Sequence, residues 1–229
     1  KNYYKEEIYV GYRYFETFAK DKVLYPFGYG LSYTSFGIKA EILKNSEEEL
    51  TVAAEVVNTG AVKGKEVVQV YAKVPQGKLG NPARRLIGFA KTGELKPGEK
   101  EEVVIVIPKY DLASYDDSGV TGHKSCYVLE EGTYEIFVGS DVRSAESAGC
   151  YEEKFRVVEK LQEACAPVEK FSRMKAVLMP DGSYRAVTEE VPVRTVDPQE
   201  RRKQNLPETL AYTGDKGYKL VDVLDGKVS

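Results

Sequence analysis

The side chains best suited to chemistry in this chain are its clustered carboxylates, Asp116-Asp117, Glu47-Glu48-Glu49 and Glu6-Glu7. Two carboxyl groups can divide the work of acid and base, or of acid and nucleophile, when their surroundings push their pKa values apart. None of the three clusters carries such surroundings in its own sequence. Asp116-Asp117 lies in a polar run and reads as a solvated turn, Glu47-Glu48-Glu49 as the tip of a hairpin, and Glu6-Glu7 as a solvated or inter-domain face. The single histidine, His123, has only Asp116, Asp117 and Lys124 near it, a poor ligand set for a metal, and reads as a surface-loop residue. Cys126, Cys150 and Cys165 form neither a CxxC pair nor an even set. They are expected as free thiols in a reducing compartment, or with Cys126 and Cys150 bridged if their strands are neighbours. Gly28-Tyr29-Gly30 superficially resembles a phosphate loop, but it has no third glycine and sits among aromatics, so a tight turn under packed rings is the expectation. No GxSxG, HExxH or Walker-type spacing occurs, and no catalytic residue, cofactor or metal ligand is assigned.

Whatever these residues do, an antiparallel β-sandwich must position them. From about Phe36 to Val158 short period-two runs alternate with turn residues. The expected strands are Ile38–Leu43, then Leu50, Val52, Ala54 and Val56, then Val68, Val70, Ala72 and Val74 after the Asn58-Thr59-Gly60 turn. Leu86–Ala90 follows, then Val103, Ile105 and Ile107 after the Lys96-Pro97-Gly98 turn, then Tyr134, Ile136 and Val138, and last Tyr151, Phe155 and Val157. That makes about seven strands. In the third of them Gln69, Tyr71 and Lys73 occupy the alternate positions, which implies one buried face and one open one. Asp111 to Ser125 reads as a long polar loop.

Two segments flank the sandwich. Residues 8 to 36 hold ten aromatics: Tyr9, Tyr12, Tyr14, Phe15, Phe18, Tyr25, Phe27, Tyr29, Tyr33 and Phe36. Each aromatic left in water would forgo roughly 1.5–3 kcal/mol of burial, so this stretch requires a packing surface. It is expected to be mainly inter-domain, with Tyr9–Phe15 as a strand, so that removing residues 1–24 costs the sandwich little. On the far side, near-helical spacing of apolar residues predicts a short helix around 167–174, and Pro180-Asp181-Gly182-Ser183 predicts a hairpin from Met174 to Thr188. Asp197-Pro198-Gln199-Glu200 reads as the capped start of a helix near 198–205.

Composition excludes several classes. There are 33 Lys and Arg against 36 Asp and Glu, a net charge of −3, which leaves no electrostatic footprint for nucleic acid. No stretch approaches the roughly 18 apolar residues that cross a bilayer, and no basic-then-apolar leader precedes Tyr3, so no membrane is expected and the chain reads as soluble, with a start at Lys1 that reads as that of a fragment without its compartment signals. With unpaired cysteines, a cytoplasmic location is favoured.

Several blocks together resemble a known family. Glu7-Ile8-Tyr9-Val10-Gly11-Tyr12-Arg13-Tyr14-Phe15 and Tyr25-Pro26-Phe27-Gly28-Tyr29-Gly30-Leu31-Ser32-Tyr33-Thr34 resemble the end of the α/β sandwich domain of family 3 glycoside hydrolases. Asn58-Thr59-Gly60, the run Gly64 to Tyr71 and the run Gly132 to Gly139 are similar to the fibronectin type III-like domain that follows it. The resemblance implies an all-β, fibronectin type III-like sandwich over 36–158, preceded at 1–35 by the end of the α/β domain. Residues 159–229 resemble a linker in members of reversed domain order, where the catalytic barrel follows.

In that family β-glucosides and related sugars are hydrolysed with retention, by a nucleophile and an acid/base about 5–5.5 Å apart. The Asp nucleophile lies on the barrel and the Glu acid/base usually on the α/β domain, and neither motif occurs here. The resemblance therefore implies a non-catalytic piece of a glycosidase whose partners are the barrel and α/β domains of the same protein. Tyr115 and Asp116 are candidate sugar contacts if their loop reaches the active-site mouth. The alternative is a stand-alone sandwich module that binds carbohydrate or protein.

Overall fold

The computed structural model describes residues 2–161, 163, 167–195, 197 and 199. One compact unit ends at Val193. Beyond it, Asp197 Oδ1 accepts the Gln199 N–H at 2.8 Å, the contact expected of a helix cap, and the remainder of the expected 198–205 helix lies outside the described residues.

Seven strands form two facing sheets. The first has the order β1 (Phe36–Asn45), β2 (Glu49–Asn58), β5 (Lys100–Pro108). The second runs β4 (Arg85–Lys91), β3 (Val67–Lys73), β8 (Gly132–Gly139), β9 (Glu146–Glu153). All neighbours are antiparallel, with Val52 opposite Ile105 and Val70 opposite Val138. The inter-sheet core is built from the alternating positions, including Val52, Val56, Val70, Ile105 and Ile136. On β5 the period of two is explicit, since Val103, Ile105 and Ile107 are buried while Val104 and Val106 are exposed.

Polar anchors set the ends of the sandwich. Tyr134 enters β8 buried, and its hydroxyl donates to the Glu130 carbonyl at 3.0 Å, the tyrosine corner of immunoglobulin-like sandwiches. Asn58 is buried at the turn after β2. Its Nδ2 donates to the Val62 and Leu95 carbonyls, both at 2.8 Å, and its Oδ1 accepts the Gly60 N–H, so one amide ties two loops together.

A third, small sheet has the order β10 (Arg156–Lys160), β7 (Cys126–Leu129), β6 (Ser114–Asp116). It revises two expectations. Asp111–Ser125 is not one long loop, because Ser114–Asp116 pairs with Cys126–Val128. The last strand is not continuous from Tyr151 to Val157: β9 stops at Glu153, and after a break the chain leaves the four-stranded sheet to pair with β7.

The hairpin β11 (Ser172–Leu178) and β12 (Tyr184–Glu190) has the expected turn, in which Gly182 takes φ +82° and Asp181 Oδ1 accepts the Ser183 N–H at 2.9 Å. The helix expected around 167–174 is absent, and from Ser172 the chain is already extended. Cross-strand pairing with β12 outweighs a helical spacing that follows Pro167.

The aromatic segment departs furthest from expectation. Tyr12–Phe18 is a helix, α1, not a strand. With the residues beside it, α1 is bonded to the sandwich and the hairpin. Tyr9 is buried, and its hydroxyl accepts the Ala176 N–H at 2.9 Å. The Tyr12 hydroxyl accepts from Leu86 N at 2.8 Å, Thr17 Oγ1 accepts from Ala83 N at 2.9 Å, and Arg143 Nε donates to Glu16 at 2.9 Å. Tyr12 stacks on Phe27 at 4.3 Å and meets the edge of Tyr71 at 6.3 Å. As a result Gln69 and Tyr71, on the face of β3 expected to be open, are buried too. A Cβ at Gly28, whose φ is +87°, would lie 2.5 Å from Gln69 Oε1, so glycine permits both the turn and the close approach.

The second half of the segment faces outward. Leu24 is 84% exposed, Leu31 91% and Tyr33 100%, with Tyr25, Phe27 and Tyr29 also exposed. Of the later aromatics, Phe36 packs on the core and Phe27 stacks on Tyr12, whereas Tyr25, Tyr29 and Tyr33 turn outward.

Candidate functional site

A cavity of about 410 Å³ lies where residues 7–13, the 79–82 loop, β6 with its following turn, and the β11–β12 hairpin meet. Its acidic wall is organised by Arg173 of β11. The guanidinium grips Asp117 through two bonds, Nη1 to Oδ2 at 2.5 Å and Nη2 to Oδ1 at 2.9 Å, while Nε donates to Glu189 at 2.9 Å. Glu7 stands 3.7 Å away, and Lys175 also binds Glu189 at 3.1 Å. Burial alone would lower the Arg173 pKa, but the bonds and charge of Asp117, with Glu7 and Glu189, raise it. Glu7 is raised, mainly by burial and further by Asp117 and Glu189, against the opposing pull of Arg173.

Arg13 and Arg85 also line the cavity. Arg85 Nη2 donates to the Asp111 and Ala113 carbonyls at 2.9 Å, whereas Nη1 makes only 3.4 Å approaches to Asn81, Leu112 and Ser114. No carboxylate touches Arg85 among the described residues. Its pKa is lowered to about 10, first by burial and then by the neighbouring charge of Arg13.

The two candidate sugar contacts point in different directions. Tyr115 is 40% exposed on the cavity wall, its ring 5.1 Å from Tyr127. Asp116 is fully buried, and both its oxygens are engaged by the turn that follows. Oδ1 accepts from Ser118, Gly119 and Val120, and Oδ2 from the Thr121 N–H at 2.9 Å and hydroxyl at 2.6 Å. Asp116 is therefore the anchor of the 117–121 turn and not a surface ligand.

Burial pushes the Asp116 pKa up, but the bonds from Thr121, Gly119 and Ser118 outweigh it and hold the group below its ordinary value. The stability this contributes is present above the unfolded-state pKa and is lost as pH falls through the lower folded value. Asp116→Asn, which turns an NH2 toward a donor, should cost about 2–3 kcal/mol at neutral pH, read by denaturant melts, and the difference from wild type should shrink below pH 4.

The other sequence candidates are dispersed. Glu49 pairs with Lys44 at 2.7 Å at the β1–β2 tip. His123 stacks on Phe155 at 5.2 Å, and no group of three metal-ligating side chains occurs among the described residues. The Cys126–Cys150 bridge is ruled out: Cys126 is buried on β7 and Cys150 exposed on β9, in separate sheets, and both are free thiols. Cys165 lies outside the described residues. Arg13, Arg85 and Arg173 were not singled out by sequence. The one available signal was a long charged side chain amid apolar neighbours, as in Ser172-Arg173-Met174.

Fold and sequence together define the class. Two antiparallel sheets of three and four strands closed by a tyrosine corner make an immunoglobulin-like sandwich, and residues 66–142 match the fibronectin type III-like domain family. The chain is 49% identical over 226 residues, 98% of its length, to a β-glucosidase of Ruminococcus albus, of which it covers 23%. It superposes on the crystal structure of a β-glucosidase from Paenibacillus barengoltzii with a TM-score of 0.86 and 51% identity, covering 100% of this chain and 26% of that one. For β-glucosidase 3B from Thermotoga neapolitana in complex with α-D-glucose the TM-score is 0.61 at 42% identity, covering 68% of this chain and 21% of that one. By fold and by sequence the chain corresponds to the fibronectin type III-like region of family 3 β-glucosidases. It spans about a quarter of the length of the relatives it matches.

Proposed function

We propose that this chain is a non-catalytic structural domain of a retaining β-glucosidase, ordering the catalytic domains through its outward aromatic face. The observation that carries the reading is the run from Leu24 to Tyr33, with Leu31 91% and Tyr33 100% exposed, beside an α1 that is fully engaged with the sandwich. A contiguous apolar surface of this kind marks an interface. The relatives are about four times the chain's length, so the rest of such a protein supplies the partner.

The carboxylates of the cavity are tied to one cation, which supports the non-catalytic part. Glu7, Asp117 and Glu189 all converge on Arg173, whose guanidinium holds their negative charge in an ion-pair cluster. Whole-chain similarity to the Ruminococcus and Paenibacillus proteins, against about two thirds for the Thermotoga one, supports reading 159–229 as a linker toward a following catalytic barrel. Tyr115, with its ring exposed, is the side chain proposed to meet sugar from this domain.

Incubated with an aryl-β-glucoside, the chain alone should give no turnover above a buffer blank. Turnover that Glu7→Gln or Asp117→Asn abolishes would place the chemistry here and overturn the reading.

A further inference from the structure

The cations that line the cavity are answered unequally. Arg173 and Lys175 are met by Glu7, Asp117 and Glu189, so their positive charge is fully answered. By contrast, the Arg13 guanidinium has no hydrogen bond or ion pair among the described residues, and Arg85 has no carboxylate and a loosely held Nη1. Burial strips water from Arg85, and the neighbouring charge of Arg13 acts against it. Desolvated like charges without a counter-ion are costly, and a planar fork matches a carboxylate through two parallel bonds. A dianion would also meet the acids that line the same cavity. One negative charge on an organic body that can lie against the Tyr115 and Tyr127 rings fits better.

We propose that this cavity is a carboxylate-binding site, in which Arg13 and Arg85 hold a single organic carboxylate with its body against Tyr115. The carboxylate has two possible sources, a sugar acid in solution or an Asp or Glu side chain from the remainder of the longer protein. The chemistry at the two arginines is the same for both.

The test is an NMR titration of the chain, following the arginine side-chain signals, with sodium glucuronate, glucose and inorganic phosphate as probes. Glucuronate should shift Arg13 and Arg85 saturably in the millimolar range or tighter, glucose should leave both unmoved, and phosphate should bind more weakly. Arg13→Gln should weaken glucuronate by about tenfold or more with its melting temperature unchanged, and Arg13→Lys should recover part of the loss. If Arg13→Gln does not fold, the contrast between glucuronate and glucose on the wild-type chain decides alone. Unsaturable or absent shifts, or phosphate binding as tightly as glucuronate, would overturn the proposal. In the longer protein, undiminished glucuronate binding identifies a free acid as the ligand. Loss of that binding, with Arg13 already shifted, identifies an internal side chain. The aryl-glucoside assay above does not depend on either result, so the two readings fail separately.

Discussion

Tyr9→Ala should lose about 3–5 kcal/mol of folding stability, the range for truncating a buried aromatic, although residue 9 precedes the first strand of the sandwich by more than twenty positions. Tyr9 is 2% exposed, packs against Phe18 at 5.2 Å, and accepts the Ala176 N–H from the middle of β11. Its removal opens a cavity and leaves that amide of the hairpin without its acceptor. The Tyr9 hydroxyl pKa, pushed up to about 12 chiefly by burial, fits a phenol held out of water. Tyr9→Phe separates the two contributions: it keeps the ring and should cost only about 1–2 kcal/mol, with faster hydrogen exchange at Ala176. Equal stability of Tyr9→Ala and wild type in urea would mean that the segment is not part of this fold. By the same geometry, deletion of residues 1–24 should unfold or strongly destabilise the sandwich, contrary to what aromatic density alone implied.

The second large effect lies at the opposite side of the core. Lys109 is buried at 2% exposure, its Nζ 2.7 Å from Glu153 and 3.9 Å from the centre of the Tyr151 ring. Burial lowers the Lys109 pKa even though Glu153 pulls it back up, so the pair repays only part of the cost of leaving water. Removing one partner strands a buried charge: Glu153→Gln should destabilise by about 3–5 kcal/mol. Replacing both, Lys109→Met with Glu153→Leu, should recover most of that loss. Denaturant unfolding of the two single variants and the double variant measures the coupling directly, and additive effects would contradict the pairing.

How much of this was legible from the residues follows from what periodicity encodes. A strand with one face in the core alternates, so β2, β5 and β8 were readable from Val52, Ile105 and Ile136 and their neighbours, and the β11–β12 turn from Pro180 to Ser183. The second face of β3 was not readable. Gln69 and Tyr71 look like solvent-facing residues, and what covers them lies more than forty positions earlier in the chain, α1 against Tyr71 and the Gly28 turn against Gln69. The α1 helix itself carries no start signal, because its N-cap is Gly11 with no side-chain capping bond and its first turn holds no acid. The break between Glu153 and Arg156 was invisible for a related reason, since Tyr151, Phe155 and Val157 keep the alternation across a change of sheet.

The site was less legible than the fold. Asp116 was visible as chemistry but is occupied by its own turn. Arg13, Arg85 and Arg173 converge from three distant segments, and charged residues that meet only through tertiary packing leave no local pattern.

The central claim is that the outward half of the aromatic segment is an interface for the rest of a longer glycosidase. Hydroxyl-radical footprinting of Tyr25, Tyr29, Leu31 and Tyr33, compared between this chain and a version extended to the length of its relatives, tests it most directly. All four should be modified readily in the chain alone and protected in the extended protein, while buried Tyr71 and Tyr134 stay protected in both. Equal modification of the four residues in the two proteins would contradict the account.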